Sequence, residues 1–92
     1  MILYLEVECF LYEGQSLKTK RSILKSLLSK LKNDFNVTVA ELDFQDLWQR
    51  TKIGIVTISS SKHHAEKVIQ QVLVMIDSYP ELERTITTID EL

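Results

Sequence analysis

Six basic side chains, Lys18, Lys20, Arg21, Lys25, Lys30 and Lys32, fall between Leu17 and Asn33 with no acid among them. The remainder of the 92-residue chain holds five Lys or Arg against all 13 Asp and Glu. A formal net charge of -2 therefore conceals a +6 segment within a -8 remainder. Concentrated cations attract anions at long range while the rest of the surface repels them. The chemistry available here is recognition of phosphate, alone or along a nucleic-acid backbone. Ser16 precedes the segment and is a helix-capping residue type. Lys18, Lys20 and Arg21 would then lie near the start of a helix, where the dipole disfavours cations. With free backbone N–H groups beside them, Ser16, Lys18, Lys20, Arg21, Lys25 and Lys32 form the candidate anion or RNA site. The competing reading is a solvated helix face with no ligand.

Other chemistry lacks a constellation. His63 and His64 are adjacent, so on a helix they diverge by about 100° and do not share a metal easily. The one cysteine, Cys9, sits on a strand face expected to be buried, so neither a zinc site nor a disulfide framework is expected. Glu6, Glu8, Glu41 and Asp43 could gather on neighbouring strands as a carboxylate cluster. No nucleophile motif or phosphate-binding glycine loop accompanies them. No enzyme activity, cofactor or small-molecule substrate is expected.

The elements that must carry these residues follow from periodicity. Ile2 to Tyr12 alternates: Leu3, Leu5, Val7, Cys9 and Leu11 point one way, and Tyr4, Glu6, Glu8, Phe10 and Tyr12 the other. Glu13-Gly14-Gln15 breaks that strand. From Leu17 the apolar residues Leu24, Leu27, Leu28, Leu31 and Phe35 recur at helical spacing, and the helix ends near Asn33-Asp34. Asn36 to Phe44 alternates again, with Ala40, Leu42 and Phe44 the expected inward set. Lys52 to Ser59 is β-branched and apolar on both sides, which suits a central strand. Ser60-Ser61 caps a second helix with the stripe Ala65, Val68, Ile69, Val72, Leu73 and Ile76. Arg84 to Ile89 is a Thr-rich last strand.

The order β-α-β-β-α-β predicts an α+β, ferredoxin-like two-layer sandwich: a four-stranded antiparallel sheet with both helices on one face. Residues 1–92 are read as one such domain. Leu24, Leu27, Leu28, Leu31, Val68, Ile69, Val72 and Ile76 are expected against Leu3, Leu5 and Val7.

The sheet face away from the helices offers a second candidate surface. Tyr4, Phe10 and Tyr12 invite comparison with sheets that stack RNA bases. Glu6 and Glu8 share that face, and the third strand lacks the paired aromatics of such modules. The mixture of Tyr4, Phe10, Val37 or Val56 with a few acids better suits a protein interface. Trp48, in the polar connection before Arg50, folds back as a lid on the core or stands out as a partner anchor. Tyr4, Phe10, Trp48 and Arg50 are the candidate protein-interface residues.

Two stretches, Ser16-Leu-Lys-Thr-Lys-Arg-Ser22 and Phe35-Asn-Val-Thr-Val-Ala-Glu-Leu-Asp-Phe-Gln-Asp-Leu-Trp-Gln-Arg50, resemble the signature segments of the YlxP family, small bacterial proteins of unknown function. The resemblance runs the whole chain. It implies a ferredoxin-like fold and a cytoplasmic bacterial protein. The genes of that family commonly neighbour those of transcription and translation factors, which suggests an RNA or ribosome context. The family carries no established active site.

The expectation is a noncatalytic binding module touching RNA or a ribonucleoprotein through its first helix. The alternative is a protein-interaction or homodimerisation domain using the open sheet face. No apolar run approaches 18 residues and the N-terminus has no basic signal region, so no membrane partner is expected.

Overall fold

A computed structural model describes residues 1–12 and 16–92. The expected break at Glu13-Gly14-Gln15 lies outside the described residues. Strand β1 (Ile2–Leu11) alternates strictly between buried and half-buried positions. Helix α1 (Leu17–Asp34) follows, then β2 (Val37–Asp43), β3 (Arg50–Ile58), α2 (Lys62–Asp77) and β4 (Leu82–Glu91). The strand order is β2-β3-β1-β4, with every neighbouring pair antiparallel. This is the expected ferredoxin-like sandwich.

Both helices begin at serines, as their sequences imply. The Ser16 hydroxyl accepts the Thr19 N–H at 3.1 Å, and the Ser61 hydroxyl accepts the His64 N–H at 3.2 Å. Each satisfies one of the orphan donors of a first turn. Both helices lie on one sheet face, α1 chiefly over β2 and α2 over β1, β3 and β4. Leu5, Val7, Leu11, Leu27, Leu31, Ile53, Ile55, Val72 and Ile76 are fully buried between the layers.

Three sequence expectations are corrected. Leu28 is only half-buried, because it sits at the margin of the α1 stripe and packs against the core from outside. The phase of β2 is inverted: Val39 is buried and Val37 half-buried, while Ala40 and Leu42 are exposed. Val37 therefore belongs to the helix side and not to the open face. The inward set of β2 continues to Glu41, an acid at a core-facing position, and that acid disguised the phase. Trp48 is no lid between the layers. It is 39% exposed at the end of the open face.

Gly54 lies on the open face of β3, beneath Leu42 and Tyr4. A Cβ there would stand 2.7 Å from Leu42 Cδ1 and 3.3 Å from Tyr4 Cε1. The missing side chain lets Leu42 and Tyr4 close over β3. Among the described residues, no helix is long and apolar enough to cross a membrane.

Candidate nucleic-acid interface

The basic residues of α1 divide into three groups by their angle around the helix. Buried Leu24, Leu27 and Leu31 define the core-facing arc, and Lys20 lies within it. Ser26 and Lys30 lie on the flank toward Tyr79, which follows α2. The hydroxyls of Ser26 and Tyr79 are 2.8 Å apart, and Lys30 Nζ stands 5.4 Å from the Tyr79 ring centroid. Lys18, Arg21, Lys25 and Lys32 occupy the flank turned away from α2, all exposed.

Lys20 is corrected as an anion-site candidate. Its side chain is 1% exposed. Its ammonium donates to Phe44 O at 2.5 Å and Leu47 O at 2.6 Å, and lies 3.0 Å from Glu41 Oε2. Three acceptors match the three donors of an ammonium, so none remains for a ligand. The Thr51 hydroxyl donates to the same Glu41 oxygen at 2.7 Å. Lys20 thus fastens the β2–β3 connection to the first turns of α1. Sequence reasoning grouped it with the ligand-binding cations, although its helical angle already placed it near the apolar stripe. Ser16 likewise uses its hydroxyl oxygen for the helix cap.

The connection that Lys20 holds has its own geometry. Phe44 has φ 65°, a left-handed conformation uncommon outside glycine, and its N–H donates to Asp43 Oδ1 at 2.7 Å. The Phe44 carbonyl also accepts the Leu47 N–H at 3.0 Å. The Arg50 guanidinium lies 3.9 Å from the Phe44 ring centroid, and its Nη2 is 3.1 Å from Glu8 Oε1. Phe10, Leu47, Trp48, Gln49 and Arg50 line a hollow of about 190 Å³. Three of the four protein-interface candidates, Phe10, Trp48 and Arg50, therefore converge. Tyr4 does not join them.

Tyr4 belongs instead to a polar row across the middle of the open face. Its hydroxyl donates to Glu6 Oε2 at 2.6 Å, and Lys52 Nζ lies 3.4 Å from Glu6 Oε1. The hydrogen bond to Glu6, with burial adding to it, pushes the Tyr4 phenol up to about 12. The same bond holds the Glu6 carboxyl below its ordinary value. Glu6 and Glu8 thus have cationic neighbours, while Glu41 faces the helices. The four acids considered as a cluster are split between two sides of the sheet. On the helix side, burial pushes the Cys9 thiol up to about 12, as expected of a core cysteine.

Ion pairing separates the cations further. Outside α1, Arg50, Lys52, Lys62 and Arg84 each have an acid within salt-bridge distance. Within α1 only Lys20 does, among the described residues.

The sequence and the fold both have counterparts among known proteins. Residues 2–89 match the DUF503 family model, described as a protein of unknown function. The chain belongs to this family. It is 52% identical over 87 residues to the uncharacterized protein YlxP of Bacillus subtilis strain 168, covering 95% of each chain. The YlxP resemblance of the two signature segments is thereby shown over 95% of the chain. Among solved structures, the C-terminal segment of the aIF2 alpha subunit from Pyrococcus abyssi superimposes with a TM-score of 0.54 at 15% identity. The match covers 94% of this chain and 51% of that one. At that identity the likeness concerns the fold alone.

Proposed function

We propose that this DUF503 protein is a noncatalytic binding module of the cytoplasm that contacts RNA, or RNA within a ribonucleoprotein, through the outer flank of α1. One observation carries the reading. Lys18, Arg21, Lys25 and Lys32 form an exposed row without acidic partners among the described residues, whereas four of the five cations outside α1, all but Lys67, are paired. A row used only for solubility has no need of such separation from acids. Cations beside the N-terminus of α1 also oppose its dipole, so helix stability does not account for them. A Lys and Arg row reads phosphate charge and carries no base code, so sequence preference should be slight.

The test is binding of fluorescent oligouridylate across a salt series. Four phosphate contacts predict a log–log slope of about -3, at ~0.7 per contact on single strands. Changing Lys18, Arg21 and Lys25 together to Gln should weaken binding and flatten that slope by about 2. Failure to bind either free RNA or ribosomal particles at low salt would overturn the reading. A second reading, a protein-interaction surface, draws on the convergence of Phe10, Trp48 and Arg50, since Trp and Arg are frequent interface anchors. Partner capture indifferent to salt and lost on Trp48→Ala would favour it.

A further inference from the structure

The two edges of the sheet are protected very differently. β2 is seven residues long, its register shifts between Glu41 and Asp43, and α1 lies over it. A short, irregular edge resists pairing with another chain. β4 is ten residues long, contains no Pro or Lys, and pairs regularly from Ile86 to Glu91, its one register shift falling between Ile86 and Arg84. Every residue from Thr85 to Glu91 is exposed, including Ile86 at 54% and Ile89 at 45%. Ile86 pairs with Glu8 and so lies on the open face, and Ile89 pairs with Leu5 and lies on the helix face.

The backbone of that edge can be assigned group by group. The Leu92 N–H donates to Ile2 O at 3.0 Å. Antiparallel pairing alternates, so Asp90, Thr88 and Ile86 also turn their N–H and C=O toward β1. Glu91, Ile89 and Thr87 turn theirs outward. Three consecutive outward positions form an unpaired template.

We propose that a second copy of this chain adds to the β4 edge, antiparallel about a two-fold axis at Thr88, joining two four-stranded sheets into one of eight strands. The register follows from faces and charges. A two-fold normal to the sheet pairs only residues on the same face. With the axis at Thr88, Thr87 lies opposite Ile89 of the second copy, and the two exchange backbone hydrogen bonds on both sides of the axis. The irregularity between Ile86 and Arg84 adds one residue, so Arg84 falls opposite Glu91 of the second copy, both on the helix face. Arg84 already binds Asp77 at 2.7 and 2.9 Å, and Glu91 lies 3.3 Å from Lys62. The joined edge therefore lines up Asp77, Arg84, then Glu91 and Lys62 of the second copy, with alternating sign. Moving the axis to Thr87 would instead set Glu83 against Asp90, a like-charge pair on the open face.

This inference is independent of the RNA reading. It places both α1 helices at the far ends of the joined sheet, with their β2 strands roughly 34 Å apart at the usual strand spacing. Sedimentation of the whole chain decides it. The expected mass at high micromolar concentration is twice 10.7 kDa. Ile89→Lys should return it to a folded monomer, with far-UV circular dichroism unchanged. Glu91→Arg, which sets like charges at both ends of the joint, should weaken association at least tenfold. In the wild type, the Thr87 and Ile89 amides should exchange slowly although no strand of their own chain covers them. A wild-type monomer at high micromolar concentration would overturn the proposal. So would a dimer that persists in folded Ile89→Lys, or fast exchange at both amides.

Discussion

The two helices of this sandwich start alike and end in different roles. Each begins at a serine cap, and neither has an acid in its first turn. α2 buries Ala65, Val68, Ile69, Val72, Leu73 and Ile76, and its two Lys are balanced by Glu66 and Asp77. α1 buries three leucines and one lysine, and Asp34 is its only acid. α2 is thus a core helix that covers three strands, while α1 covers an edge and presents charge. The difference lies in what each helix leaves uncommitted by its packing. A helix kept cationic at both ends, beyond what its packing requires, is the part of the molecule with chemistry left over.

The largest expected effect tests whether the smaller apolar stripe of α1 is still essential. Leu27 is fully buried, and Leu27→Ala should cost about 2–5 kcal/mol in urea denaturation, comparable to Ile69→Ala in α2. Leu28→Ala, at the half-buried margin, should cost less than about 2 kcal/mol. Equal losses at Leu27 and Leu28 would contradict the packing described for α1.

Lys20 sharpens the contrast within α1 itself. Lys20→Met keeps the stem but removes the counter-charge of Glu41 and a charged donor from the Phe44 and Leu47 carbonyls, and should cost about 2–3 kcal/mol. Adding Glu41→Gln should recover part of that loss, read as coupling in a double-mutant cycle. Amide exchange near Leu47 should quicken in Lys20→Met, because the connection loses its fastening. If Lys20→Met instead left stability untouched and weakened RNA binding, Lys20 would belong with the exposed cations.

The caps should behave alike despite the different helices. Ser16→Ala and Ser61→Ala should each cost about 1 kcal/mol by thermal unfolding. A much larger loss at Ser16 would show that the adverse cations leave α1 more dependent on its cap. The smallest expected effect is on the stability of the protein with Lys18, Arg21 and Lys25 changed to Gln. It should stay within ~0.5 kcal/mol of wild type while the salt slope flattens. A large stability loss there would return those side chains to a structural role.

Local pattern alone determined the element order, the inward face of β1, the stripe of α2, Leu24, Leu27 and Leu31 of α1, and both serine caps. Those features are local: alternation, helical spacing and a hydroxyl before a helix act within a few residues of themselves. The cationic row was legible for the same reason, since four of its members share one helical flank. Tertiary structure alone decided the rest. Whether Lys20 faces water or core depended on Glu41, Phe44 and Leu47, which lie more than 20 residues away in sequence. The phase of β2 depended on that same contact, because Glu41 reads as a solvent-facing residue until a buried ammonium is placed opposite it. The meeting of Phe10, Trp48 and Arg50, and the bare edge of β4, arise from strand order and register, which alternation does not encode. Local pattern chooses which face of an element is apolar, but only packing chooses which polar groups find one another beneath it.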